Sequence, residues 1–100
     1  MIVGTTPTHT FNVPIDTSSI KVIRVIYKQG DKVVMVKTKD DCTFGDKKVM
    51  VKLTQEDTFK FDHKSPVKIQ LRILTLDGTA LASIPKSVGI TECFEDVVME

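Results

Sequence analysis

The 100-residue chain has no tryptophan, only two cysteines, two histidines and five glycines, and no long apolar run. Each shortage removes a class of function. A membrane-crossing helix needs about 20 consecutive apolar residues, and Met1 to Val3 is too short for the core of an export signal. The chain therefore reads as soluble and made without a signal peptide. Cys42 and Cys93 stand far apart, neither in a CxxC pair, which argues against a zinc site and for two free thiols in a reducing compartment. Whether they pair is left open by the sequence. His9 and His63 lack a second histidine or a cysteine at ligand spacing, so no metal centre is expected. A net charge of +1 supplies no field toward nucleic acid or an anionic membrane.

The same test applies to reaction chemistry. Ser18, Ser19, Ser65, Ser83 and Ser87 lie outside any GxSxG elbow, and Cys42 has no histidine near it in sequence, so no nucleophile is set up locally. The glycines fall singly at turns and build no phosphate-binding loop. Asp40, Asp41 and Asp46 do not reproduce the D-x-D-x-D-G pattern of a calcium loop and read as turn formers. The expectation is a protein that is not an enzyme, with no catalytic residue, cofactor, metal or small-molecule substrate.

What the chain does have is the two-residue alternation of half-buried strands. Phe11 and Val13 alternate with Thr10 and Asn12 across Thr8–Val13, and Pro14 then denies the ladder a donor, which marks an edge strand. Ile20–Lys28 is apolar on both faces and reads as a central strand. Gln29–Lys32 turns it into Lys32–Lys39, a hairpin. After a turn at Phe44–Lys47, Val49, Val51 and Leu53 alternate with Lys48, Met50 and Lys52. Thr54 and Asp57 have capping-box spacing without the apolar repeat that continues a helix, so the segment reads as a corner. Phe59 and Phe61 then plug the end of the core as the chain changes sheets. Val67, Ile69, Leu71 and Ile73 oppose Lys68, Gln70 and Arg72 in the clearest strand. Asp77 and Gly78 return the chain into Ala80–Ile84, and Pro85 ends that strand, with a continuation at Lys86–Ile90.

About seven strands at turn spacings of about ten residues predict an all-β, antiparallel, immunoglobulin-like sandwich, with a small β-barrel as runner-up. Residues 1–90 form the single domain, and 91–100 an acidic tail that is amphipathic or disordered. Size scaling for 11.2 kDa gives a folded surface of about 5,700 Å². Lysines alternating along the strands read as a solubilising outer face that blocks edge pairing. A single-strand nucleic-acid stripe would interleave stacking aromatics, and Phe11, Tyr27, Phe59 and Phe61 belong to the core instead.

Ile90, Cys93, Phe94, Val97 and Val98 recur at helical spacing, and every charged residue after Lys86 is acidic. This predicts a short C-terminal helix whose apolar face docks on its own domain, another copy or a partner, or a tail left disordered. The candidate interaction residues are thus Ile90, Phe94, Val97 and Val98 in the tail, with Thr8 and Thr10 on the first edge strand.

The segments TTPTHTFNVPIDTSSIKVIRVIYKQGDKVV, CTFGDKKVMVKLTQEDTFKFD and VKIQLRILTLDGTALAS resemble small uncharacterised proteins encoded in phages and prophages of Firmicutes and related gut bacteria. The likeness runs from Thr5 to Ser83, is most specific at Thr6–Thr10, Leu53–Asp57 and Gln70–Arg72, and fades from Lys86 onward. It implies a structural-gene neighbourhood without known catalysis, and brings no functional residues. The expectation is a virion structural component, in head, connector, tail or baseplate, that works by protein–protein or self-association. It would be made in the cytoplasm of a bacterial host and incorporated into the virion. The alternative is a soluble module that recognises a host protein or carbohydrate through loops such as Asp40–Lys47 and His63–Pro66.

Overall fold

Strict alternation gives Val67–Thr75 (β6) four apolar side chains on one face, and all four, Val67, Ile69, Leu71 and Ile73, are buried. Ile23, Val25 and Tyr27 of Ile20–Gln29 (β2) lie beside them, because β2 pairs antiparallel with β6 through Val25↔Leu71. From the facing sheet come Val49 and Val51 of Lys48–Lys52 (β5), and Val3, Val13, Leu53 and Phe61 close the ends of the core. The computed structural model describes residues 1–100 and places the remaining strands at Thr8–Asn12 (β1), Lys32–Thr38 (β3), Cys42–Gly45 (β4), Ala80–Ala82 (β7) and Lys86–Val88 (β8).

The sheets are ordered β1-β5-β4 and β3-β2-β6-β7, with β8 pairing the other half of β6. They share no ladder, so the molecule is a sandwich and the barrel is set aside. In an immunoglobulin fold the sheets read A-B-E-D and C-F-G, the second extended by C′ in variable-type domains. The same crossing pattern occurs here: the chain enters the small sheet, crosses for a hairpin, returns for a hairpin, and crosses again. No separate first strand precedes β1. Instead Ile2 makes a single parallel bridge with Thr91. No disulfide pins the layers, since Cys42 on β4 and Cys93 in the tail are free thiols.

The eight strands agree with the expectation of about seven, the outer partner of β6 being split between Ala82 and Lys86, where Ile84 is 90% exposed and Pro85 has no donor. Local readings are corrected. Phe44 and Gly45 belong to β4, and the turn shrinks to Asp46–Lys47, where Lys47 takes φ 52. The corner after β5 is one helical turn, Gln55–Phe59 (α1). Thr54 caps it through the Asp57 amide, and the Asp57 carboxylate accepts from the Thr54 amide.

The C-terminal helix does not form. Beyond the bridge at Thr91 the tail has no helical turn, Phe94 is fully exposed, and Val97 is exposed. A helix this short cannot offset its own nucleation without a docked face. Glu92 and Asp96 would also repel at i, i+4, and acidic residues oppose the dipole at a C-terminal end. The extended tail helps raise the accessible surface to 6496 Å², above the value for a compact chain of this mass.

Thr58 ties α1 to the N-terminal segment: its buried hydroxyl accepts from the Gly4 amide at 2.8 Å and donates to the Thr5 carbonyl at 2.9 Å. Gly4 sits at φ +80, with the Phe59 ring 2.7 Å from where a Cβ would be. Gly4→Ala is expected to cost about 2 kcal/mol, from the left-handed backbone and the displaced ring together, read as a lowered midpoint in urea unfolding.

Candidate functional site

Sheet edges are the part of a sandwich that must be guarded, because unpaired amides and carbonyls template another strand. This molecule manages its four edges unequally. The β7–β8 edge is interrupted at Pro85; β4 is four residues long; β3 carries lysines and a register shift opposite Tyr27/Lys28. β1 has neither charge nor proline within Thr8–Asn12.

The ladder fixes which of its groups are free. Leu53 donates to the Pro7 carbonyl at 2.9 Å and Val13 to the Lys47 carbonyl at 3.0 Å. Bonded pairs alternate along an antiparallel ladder, so His9 and Phe11 bond to β5, opposite Val51 and Val49. The backbone groups of Thr8, Thr10 and Asn12 therefore point away from the sheet. Their side chains stand on the outer, solvent-facing row beside Lys48, Met50 and Lys52.

Across from this edge lies the β7–β8 edge of the other sheet, and between them runs a groove of about 430 Å³ lined by Thr8, Phe11, Ile69, Leu71, Ile84 and Lys86 among others. Phe11 is only partly buried, and Ile84 is 90% exposed. The groove thus offers an apolar floor beside a free backbone edge, the two elements that strand addition uses.

His9 sits at the groove wall with Nδ1 2.8 Å from the hydroxyl of Tyr27, whose ring is fully buried. Burial lowers the His9 pKa below 6.5, and the nearby Lys86 and N-terminal charges lower it further. Burial, then Cys42 and Asp57, push the Tyr27 phenol upward. Neutral imidazole and phenol form one hydrogen bond that closes the inner side of β1. Because the fold favours neutral His9, its contribution to stability is complete above pH 6.5 and declines as pH falls from there toward the lower folded value. Thermal unfolding against pH is expected to show that decline in the native chain and to lose it in His9→Gln.

Tail and edge do not form one surface. Ile90 packs partly against the core, whereas Phe94 projects into solvent. Val98 lies partly covered near the α1 corner, where the Gln55 amide clasps the Met99 backbone, donating to its carbonyl at 3.0 Å and accepting from its amide at 2.8 Å. Glu92 lies 3.7 Å from His63.

Sequence reasoning placed Asp57 only in a cap and missed Lys37, its second partner. Lys37 faces inward from β3 opposite Val25, and its ammonium meets the Asp57 carboxylate at 2.9 Å. Burial raises the Asp57 pKa, but the Thr54 amide and the Lys37 ammonium outweigh it and hold the carboxyl below 3.8. The bulge on β3 hides the inward position of Lys37 from simple alternation.

Groups with reactive side chains are not gathered. Cys42 and His9 flank Val51 in one row of the small sheet, two strand spacings or about 10 Å apart. The Cys42 thiol, raised by burial and by Asp41, donates only to the Thr38 carbonyl at 3.4 Å. No three His, Cys, Asp or Glu side chains lie close enough together to hold a metal ion, and no helix is long and apolar enough to cross a membrane. No family model, curated protein or solved structure matches the chain.

Proposed function

We propose that this chain is a non-enzymatic assembly module, a phage- or prophage-derived structural component that joins a head, connector, tail or baseplate through protein–protein contact. The observation that supports this reading is β1: an edge strand bracketed by Pro7 and Pro14, uncharged between them, with the backbone of Thr8, Thr10 and Asn12 unpaired beside an apolar groove. A strand from a neighbouring chain adds to this edge through backbone hydrogen bonds and sets apolar side chains between Phe11 and Ile84. Made in the cytoplasm of the bacterial host, the protein then enters the particle.

Light scattering of the purified chain over a range of concentrations, together with mass spectrometry of virions from an induced lysogen, tests this. Association or recovery in particles is expected. A strict monomer missing from virions contradicts the reading.

The binding-module alternative receives a different surface from the one its loops suggested. The Asp46–Lys47 turn lies at the end where Thr17 bonds to the Gly45 carbonyl, while Asp62 and Ser65 bond to Gln29 at the far end of β2. Asp40–Lys47 and His63–Pro66 therefore do not form one face. The loops that do meet are Pro14–Ser19 and Leu76–Thr79, joined by the Leu76 amide donating to the Ser19 carbonyl at 2.8 Å, beside a depression of about 350 Å³. A host protein or carbohydrate recognised by loops would bind there.

A further inference from the structure

The chain has two arginines, and the fold places them side by side: Arg24 on β2 is directly opposite Arg72 on β6. Both are exposed on the outer face of the larger sheet, and neither is paired, since the ion pairs of the molecule are Lys37–Asp57 and His63–Glu92. Like charges directly opposite across a ladder are unfavourable. The surroundings are not those of an ordinary solvated face. Val22 is 42% exposed, Leu74 is partly exposed, and with Ala80 and Ala82 they border a shallow groove of about 320 Å³ that contains both arginines. The outer face of the small sheet, by contrast, carries threonine, asparagine and lysine around Met50.

A complement to this face exists in the same chain. The tail segment Phe94-Glu95-Asp96-Val97 places two carboxylates between two exposed apolar side chains. It cannot serve its own arginines as folded, because the Gln55 clasp holds Met99 at the α1 corner beside Thr6 and Lys52, on the side of the small sheet. The arginine face is the opposite outer surface of the two-layer molecule.

We infer that the Arg24–Arg72 face receives the acidic tail of a second copy, with Glu95 and Asp96 engaging the two guanidiniums and Phe94 and Val97 covering Val22 and Leu74. Arginine suits this role because its planar fork binds a carboxylate through two parallel hydrogen bonds. Because the tail is held on the small-sheet side and the arginines lie on the opposite outer face, the contact runs from the tail of one chain to the sheet of the next and propagates a row or closes a ring. This inference deepens the assembly reading and rests on it, but uses a surface separate from β1.

A fluorescently labelled peptide of residues 91–100, titrated into the full chain by anisotropy, tests it. Saturable binding is expected, weakened by salt and reduced at least about tenfold by the double variant Arg24→Glu/Arg72→Glu. That variant keeps a like-charged pair on the exposed face, and circular dichroism melting verifies its fold. A peptide carrying Glu95→Lys and Asp96→Lys is expected to restore binding to it. Absence of saturable binding, or equal binding to the reversed variant, overturns the inference. If the peptide fails while the native chain still associates with concentration, the tail contact is wrong and the assembly reading stands; if neither occurs, both fall.

Discussion

Replacing Asp57 with alanine is expected to lower the thermal midpoint by roughly 15 °C, the consequence of about 3 kcal/mol in a domain of this size. Two losses combine. The α1 turn loses half of its capping box, since the Asp57 carboxylate accepts from the Thr54 amide at 3.0 Å, and such a cap contributes about 1 kcal/mol. Lys37 loses its partner at 2.9 Å while its side chain remains only 19% exposed. Leaving a half-buried ammonium unpaired costs about 2 kcal/mol, below the figure for a fully buried pair because water still reaches it. Asp57→Asn keeps an acceptor for the Thr54 amide and loses the ion pair, so its effect is expected to be smaller.

The pH dependence separates these terms from mere packing. The folded chain holds Asp57 below its ordinary value of 3.8, so this stabilisation is complete above the unfolded pKa and is lost as pH falls through that value toward the folded one. Acid unfolding of the native chain is expected to include this loss, and Asp57→Asn to flatten it. A midpoint of the alanine variant within a few degrees of native at neutral pH would contradict the combined contribution of cap and ion pair.

The second large effect concerns association. Thr10→Pro is expected to weaken strand addition at β1 by roughly 100-fold, equivalent to about 3 kcal/mol, by removing an outward donor and placing a ring where the added strand would lie. Its effect on the sandwich itself is small, because the outward amide is not used by β5 and an edge strand tolerates proline. Thr10→Val keeps the amide and changes only the side chain on the outer row, so it is expected to associate as the native chain does. Sedimentation velocity on the three proteins distinguishes backbone pairing from side-chain contact: equal weakening by both substitutions would reject the backbone mechanism.

How far the sequence carries this account varies with the range of the interaction. Strands whose partners matter little to the pattern, such as β6 with its strict alternation and β2 with two apolar faces, were legible residue by residue. So was the Thr54–Asp57 cap, which is local. Register is not local. The meeting of Arg24 with Arg72, and of Lys37 with Asp57, depends on strands that close across the chain. A bulge on β3 also shifts its inward set away from simple counting.

The tail shows the opposite error. Its 3.6-residue spacing is present in the sequence, but spacing becomes structure only when a surface covers the apolar face, and Phe94 has none. Thr8 and Thr10 were legible as edge residues through Pro14. Their importance lies in backbone groups, which no side-chain pattern reveals.

Hydrogen exchange at single-residue resolution, on dilute and associated protein, probes the β1 edge most directly. The amides of Thr8, Thr10 and Asn12 are expected to exchange rapidly in the monomer and slow markedly on association, while those of His9 and Phe11 are protected in both states. Rapid exchange at the three outward amides in the associated form would contradict strand addition at β1.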